Sequence, residues 1–211
     1  MINSKNSYYE YIKTIRSHYL NHFDKGLKVL DIGCGDGVFM EYLDKEGYDV
    51  FGLDTSTDAV ESCKKKQLSV FNENALSFLQ KKEDSFGSIM CSHLIEHISI
   101  DEIHNLIESC YNALANNGIL VILTPNVKTL LGGITFWDDP THIRPYTTKS
   151  LEKLFRDKGF SNVMVGYEET TKIKVRKDFV HLIIDIIRII AGFLFYGKPA
   201  LYNEISVIAQ K

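Results

Sequence analysis

Cysteine is scarce in this sequence: Cys34, Cys63, Cys91 and Cys110 are its four, and no two of them form a CxxC pair. A chain of 211 residues needs no disulfide staples, so these read as reduced thiols of a cytoplasmic protein. Basic charge is in no excess. Against 27 Asp and Glu stand 24 Lys and Arg, a net of -3, and no global field draws the chain to nucleic acid. Long apolar runs are missing too. The most apolar stretch, Phe179 to Tyr196, is interrupted by His181, Asp185 and Arg188, so it is no simple spanning segment. The opening MINSKNSYYEYIK lacks the apolar centre of a signal peptide. What is present, 45% hydrophobic and 24% charged residues, is ordinary for a globular protein and excludes collagen-like, low-complexity and wholly disordered chains.

The periodicity predicts one α/β domain over residues 1–211. Tyr8, Ile12, Ile15, Tyr19 and Phe23 recur at helical steps, so an opening helix is expected within residues 1–25. Strands are expected near Leu27–Ile32, Asp49–Asp54, Leu68–Phe71, Phe86–Cys91, Ile119–Thr124, Asn162–Tyr167 and Glu204–Gln210. Helices are expected at Val38–Glu46, from a Thr55/Asp58 capping box to Lys66, at Asp101–Leu114 capped by Asp101, and at Leu151–Lys158. Asn116-Asn117-Gly118 reads as a turn. Such alternation means βα units and a largely parallel sheet with helices on both faces.

Asp31-Ile32-Gly33-Cys34-Gly35-Asp36-Gly37 follows the first strand and opens a helix, where glycines let a ligand approach the backbone. Asp54 ends the next strand, placed to accept hydrogen bonds from a ribose diol. The spacing is GxGxG, and Asp31 and Asp36 flank it. Carboxylates repel a dinucleotide's pyrophosphate but suit a sulfonium and an α-ammonium, so S-adenosylmethionine fits better than NAD(P). The same acids argue against the rival reading as an NAD(P)-dependent oxidoreductase. A non-catalytic cofactor-binding module is the other rival.

VLDIGCGDG, with GLD further on, resembles the first motif and second-strand acid of class I S-adenosylmethionine-dependent methyltransferases. The likeness runs over about Lys28 to Gly166 and takes in Asn74-Ala75, the Phe86–Ile98 segment and Asn117–Asn126. It implies a Rossmann-like seven-stranded sheet of order 3-2-1-4-5-7-6 with the last strand antiparallel. It also implies that Asp31, Gly33, Cys34, Gly35, Gly37, Asp54, Thr55, Asn74, Ala75, His93 and Leu94 surround the cofactor. The chain departs from the family in the long insertion, residues 169–201, before the last strand.

His93-Leu94-Ile95-Glu96-His97 also matches the HxxEH spacing of inverted zinc proteases, which needs both histidines on one helix. Following a strand in this frame, His93 and Leu94 are instead expected beside the methionine end and His97 in a structural role or one supporting the site, with no metal. The segment Trp137 to Tyr146 lies after the fifth strand, on the ligand edge, and carries Trp, acids, His and Arg. His142 is the candidate base for a hydroxyl acceptor, with Asp139 orienting it or binding the acceptor. Arg144 could hold a phosphate or carboxylate on the acceptor, or pair with Asp138, and Trp137 and Tyr146 could stack on a sugar face or wall the pocket. This stretch resembles the DPTHxRPY segment of methyltransferases associated with bacterial surface-polysaccharide and sugar pathways. The expected acceptor is a hydroxyl of a sugar, glycan or related small metabolite. Residues 179–196, read as an apolar helix, are expected to pack on the protein or a twin subunit, with peripheral membrane contact as the alternative.

Overall fold

Two-residue alternation gives way to helical spacing repeatedly along the chain, and each change marks an element. The computed structural model describes residues 4–129, 133, 136–168, 190, 194 and 204–211, with side chains from residue 8 onward. The strands are β1 (Val29–Ile32), β2 (Val50–Asp54), β3 (Ser69–Asn72), β4 (Phe86–Ser92), β5 (Leu114–Pro125), β6 (Ser161–Glu168) and β7 (Glu204–Gln210). They form one sheet of order β3-β2-β1-β4-β5-β7-β6. All neighbours from β3 to β5 are parallel, and β7 runs antiparallel to both β5 and β6. The helices are α1 (Ser4–Arg16), α2 (Val38–Lys45), α3 (Thr57–Lys65), α4 (Ala75–Leu79), α5 (Ile100–Ala113) and α6 (Thr148–Asp157), with 3₁₀ turns at Ser17–His22 and Ile95–His97.

Side chains alternate across the sheet, so two cores form. On one face Leu30, Ile32, Ile89, Ile122 and Val207 meet Ile103, Ile107, Leu151 and Phe155 of α5 and α6. On the other, Val29, Met90, Val121 and Leu123 meet Ile12, Tyr19, Phe39 and Leu43. Each such fully buried aliphatic chain contributes roughly 1.5–3 kcal/mol over exposure. Ile12, Tyr19 and Phe23 of the opening periodicity are buried as expected, but the helix tightens to 3₁₀ after Arg16.

Several boundaries differ from the sequence reading. Ser56, not Thr55, caps α3 by accepting from the Ala59 N–H. Ser99, not Asp101, caps α5, in a capping box with Glu102. In both, the residue still in extended backbone at the handover wins the cap. Asn116 to Gly118 lie inside β5, where Asn117 sits at φ +63° and the register with β4 shifts. The short helix α4, capped by Asn74, was not foreseen. Residues 169–189, and hence most of the expected insertion and its helix, lie outside the described residues; Ile190 and Leu194 are described, and both are exposed. Among the described residues no helix is long and apolar enough to cross a membrane.

Gly37, expected at the cofactor, is a packing position. It precedes α2 at φ +75°, and a Cβ there would lie 2.7 Å from Cys63 Sγ and 2.8 Å from Leu68 Cδ1. Gly37→Ala should therefore cost about 1–3 kcal/mol of stability. A melting temperature equal to wild type would contradict this.

Candidate functional site

Strand β1 delivers the chain to its glycine loop at the carboxyl edge of the sheet, beside the end of β2. The Gly33 and Cys34 N–H groups both donate to the Leu53 carbonyl, at 2.8 and 3.1 Å. Asp54 Oδ2 accepts from Gly35 N at 2.9 Å, and its Oδ1 from Ser56 N at 2.8 Å. The acid thus shapes the loop as well as facing outward. Gly35 stands at φ +55°, and a Cβ there would meet nothing within 4 Å, so the face of the loop is open at this point.

Two hollows flank the loop and share Gly33. The first, about 290 Å³, is lined by Asp54, Thr55, Asn74, Ala75, Leu94 and His97 among others. Its mostly apolar walls, with Asp54 at the rim, fit an adenosine. The second, about 270 Å³, is lined by Arg16, Asp31, Cys34, Gly35, Ser92 and His93 among others. It carries charges of both signs, as an amino-acid end requires. Cys34 contributes backbone here; its side chain is in the core, and burial pushes its thiol far up.

Arg16 was missed in the sequence because nothing local marks it. Its Nη2 donates to Ser92 Oγ at 2.6 Å, its guanidinium lies 5.4 Å from the Phe39 ring, and its buried Nε has no partner. An α-carboxylate would satisfy that orphaned donor. Burial raises the Asp31 carboxyl to about 7, with the Arg16 charge opposing and Asp54 adding. The folded value lies above the unfolded 3.8, so between about pH 4 and 7 the folded protein holds a proton that the unfolded chain has lost. Stability without ligand therefore falls as pH rises through that window. A ligand ammonium beside Asp31 reverses the preference. Cofactor binding should tighten as pH rises towards and past 7, with proton release seen by calorimetry in buffers of different ionisation enthalpy. Asp31→Asn should abolish that release; an unchanged release would remove Asp31 from the ammonium site.

His93 sits at φ +52°. Its Nε2 is 3.0 Å from Glu204 Oε1 and its Nδ1 3.4 Å from Glu96 Oε1. Burial disfavours the charged ring, but these two carboxylates outweigh it and raise His93 to about 9. The HxxEH spacing therefore does not build its expected constellation. His93 turns to β7, whereas His97 turns to the acceptor-side loop.

That loop carries the second set of groups. His142 Nδ1 meets the Phe136 carbonyl, which can only accept, so Nδ1 carries the proton and neutral His142 presents an Nε2 lone pair. Asp139 does not orient His142 from behind; its Oδ2 lies 3.9 Å from Nε2 itself. Asp139 Oδ1 instead takes the Thr141 hydroxyl at 2.6 Å, leaving Thr141 Oγ1 to accept from His97 Nδ1 at 2.9 Å. The two histidine rings lie 4.6 Å apart. Glu96, next to them, is fully buried, with Oε2 accepting from Thr124 and Oε1 held by its ion pair with His93. Ligand atoms of Glu96, His97 and His142 lie within 4.8 Å of one another, a set able to hold a divalent cation.

A methyltransferase-domain family model matches residues 5–165. The chain belongs to this methyltransferase family. Its relatives include the mitochondrial ubiquinone biosynthesis O-methyltransferase of Mus musculus, 27% identical over 165 residues, 72% of this chain and 44% of that protein. The corresponding protein of Pelagibacter ubique is 34% identical over 110 residues, 50% of this chain and 45% of that one. The chain spans about half the length of the curated relatives it matches. A SAM-dependent methyltransferase from Archaeoglobus fulgidus superposes with a TM-score of 0.78 at 29% identity, covering 96% of this chain and 94% of that one. Phosphoethanolamine N-methyltransferase 2 of Haemonchus contortus, solved with S-adenosyl-L-methionine, shares the fold with a TM-score of 0.67 at 19% identity, over 96% of this chain and 56% of that one. The methyltransferase fold and its cofactor, S-adenosylmethionine, are thereby shown, and the two hollows beside the glycine loop are candidate space for it.

Proposed function

We propose that this chain transfers the methyl group of S-adenosylmethionine to a hydroxyl of a sugar, glycan or related small metabolite. The observation that carries the reading is the Nε2 of His142, left free for a proton by the Phe136 carbonyl and set beside His97 at the cofactor hollow. When bound, the cofactor supplies an electrophilic methyl on a sulfonium. Asp54 and the glycine loop hold its ribose, Arg16 and Asp31 its amino-acid end. His142 takes the acceptor proton as the new O–C bond forms and the C–S bond breaks. The resemblance of Asp139 to Tyr146 to the DPTHxRPY segment supports a sugar setting. The names of the ubiquinone biosynthesis relatives support a hydroxylated ring as the second reading.

The test is an acceptor screen that reads S-adenosylhomocysteine release, with nucleotide sugars, glycan fragments and hydroxylated rings. Methylation of a hydroxyl in any of them is the expected result. Transfer confined to amines would overturn the O-methyl reading.

A further inference from the structure

We propose that the methyl acceptor carries an anionic group, a carboxylate or a phosphate, held by the Arg144 guanidinium while Trp137 covers its carbon skeleton; this rests on the acceptor-side reading of His142 above. Three arginines have described side chains. Arg16 is engaged with Ser92 and Phe39, and Arg156 is forked onto Glu152. Arg144 has no carboxylate within ion-pair reach among the described residues, yet it is not loose. Its backbone N–H, with that of Ile143, donates to the Glu96 carbonyl, at 3.2 and 2.8 Å. This pins the segment to the residue that underlies His97 and His142. Its guanidinium lies 5.8 Å from the ring of Tyr146, itself buried and bridged to Asn126 at the end of β5.

Arg144 is exposed, but its pinned backbone and the nearby Tyr146 ring limit its freedom, so it loses less when it grips an anion. Of the two neighbouring acids, Asp139 accepts twice from Thr141 through Oδ1, and no ion pair joins either it or Asp138 to Arg144 among the described residues. Trp137, 60% exposed, packs edge-on against Phe136, whose ring lies 4.4 Å from that of His142. A flat apolar face, a candidate base and a cation with no carboxylate in reach among the described residues therefore follow one another along one loop, beside His97, which lines the first hollow.

Two matched probe pairs separate the sources of the anion: catechol against protocatechuate, its carboxylated form, and glucose against a glucose phosphate. Binding is measured by calorimetry on the full chain loaded with S-adenosylhomocysteine, and turnover by homocysteine-product release. The anionic member of at least one pair should bind about 10- to 100-fold more tightly than its neutral partner. Arg144→Gln should collapse that ratio towards unity through KM rather than kcat, and Arg144→Lys should restore part of it. Equal binding within both pairs, or a ratio that survives Arg144→Gln, overturns the proposal. An Arg144-dependent ratio without any O-methyl product supports the anion site and overturns the reading of the reaction instead.

Discussion

Asp54→Ala should weaken S-adenosylhomocysteine binding by about 10- to 150-fold, corresponding to roughly 1.5–3 kcal/mol for lost charge-assisted hydrogen bonds. The structure gives this substitution two ways to act. It removes the acceptor expected to face the ribose, and it frees the Gly35 and Ser56 N–H groups that the carboxylate now fixes. Asp54→Asn separates them, because one amide oxygen cannot replace two carboxylate oxygens across both loop and ligand. Its affinity should fall between those of wild type and alanine. Calorimetry on the folded variants is the measurement, and unchanged affinity in Asp54→Ala would remove this acid from the cofactor site.

His142→Ala should lower turnover by ~10²–10⁴-fold while cofactor affinity changes little. The ring lies beside that of His97, and its one anchored nitrogen points to the backbone of its own loop. Asp139→Asn should act differently from a catalytic-triad acid. It would disturb the Thr141–His97 chain and leave the Phe136 carbonyl to hold His142, so its loss of turnover should be the smaller of the two. Full activity in His142→Ala would return this histidine to a packing role against Phe136 and His97.

The strands were readable in the sequence because their runs, Val29 to Ile32 (apolar but for Asp31) and Leu120 to Leu123, are buried in the middle of the sheet and tolerate few polar residues. Cap positions were less readable. Thr55 and Ser56 have the same capping chemistry, and only the backbone leaving β2 decides which oxygen faces the helix. Asp139 and His142 were correctly grouped on one loop, but spacing alone could not say which nitrogen the acid would meet.

By itself the sequence determined the glycine loop, the acid at the end of β2 and the alternation of strands and helices, since each depends on neighbours within about one element, whereas the sheet order was implied only by the family resemblance. Only the tertiary structure decided who shares the site. Arg16 reaches Ser92 across 76 residues, and His93 meets Glu204 across 111. Those encounters follow from α1 packing over the edge of β1 and β4, and from β7 returning antiparallel so that its first residue lies at the ligand edge. Periodicity carries no record of such distances. The burial that leaves Glu96 without solvent and raises Asp31 exists only once the two faces of the sheet have closed.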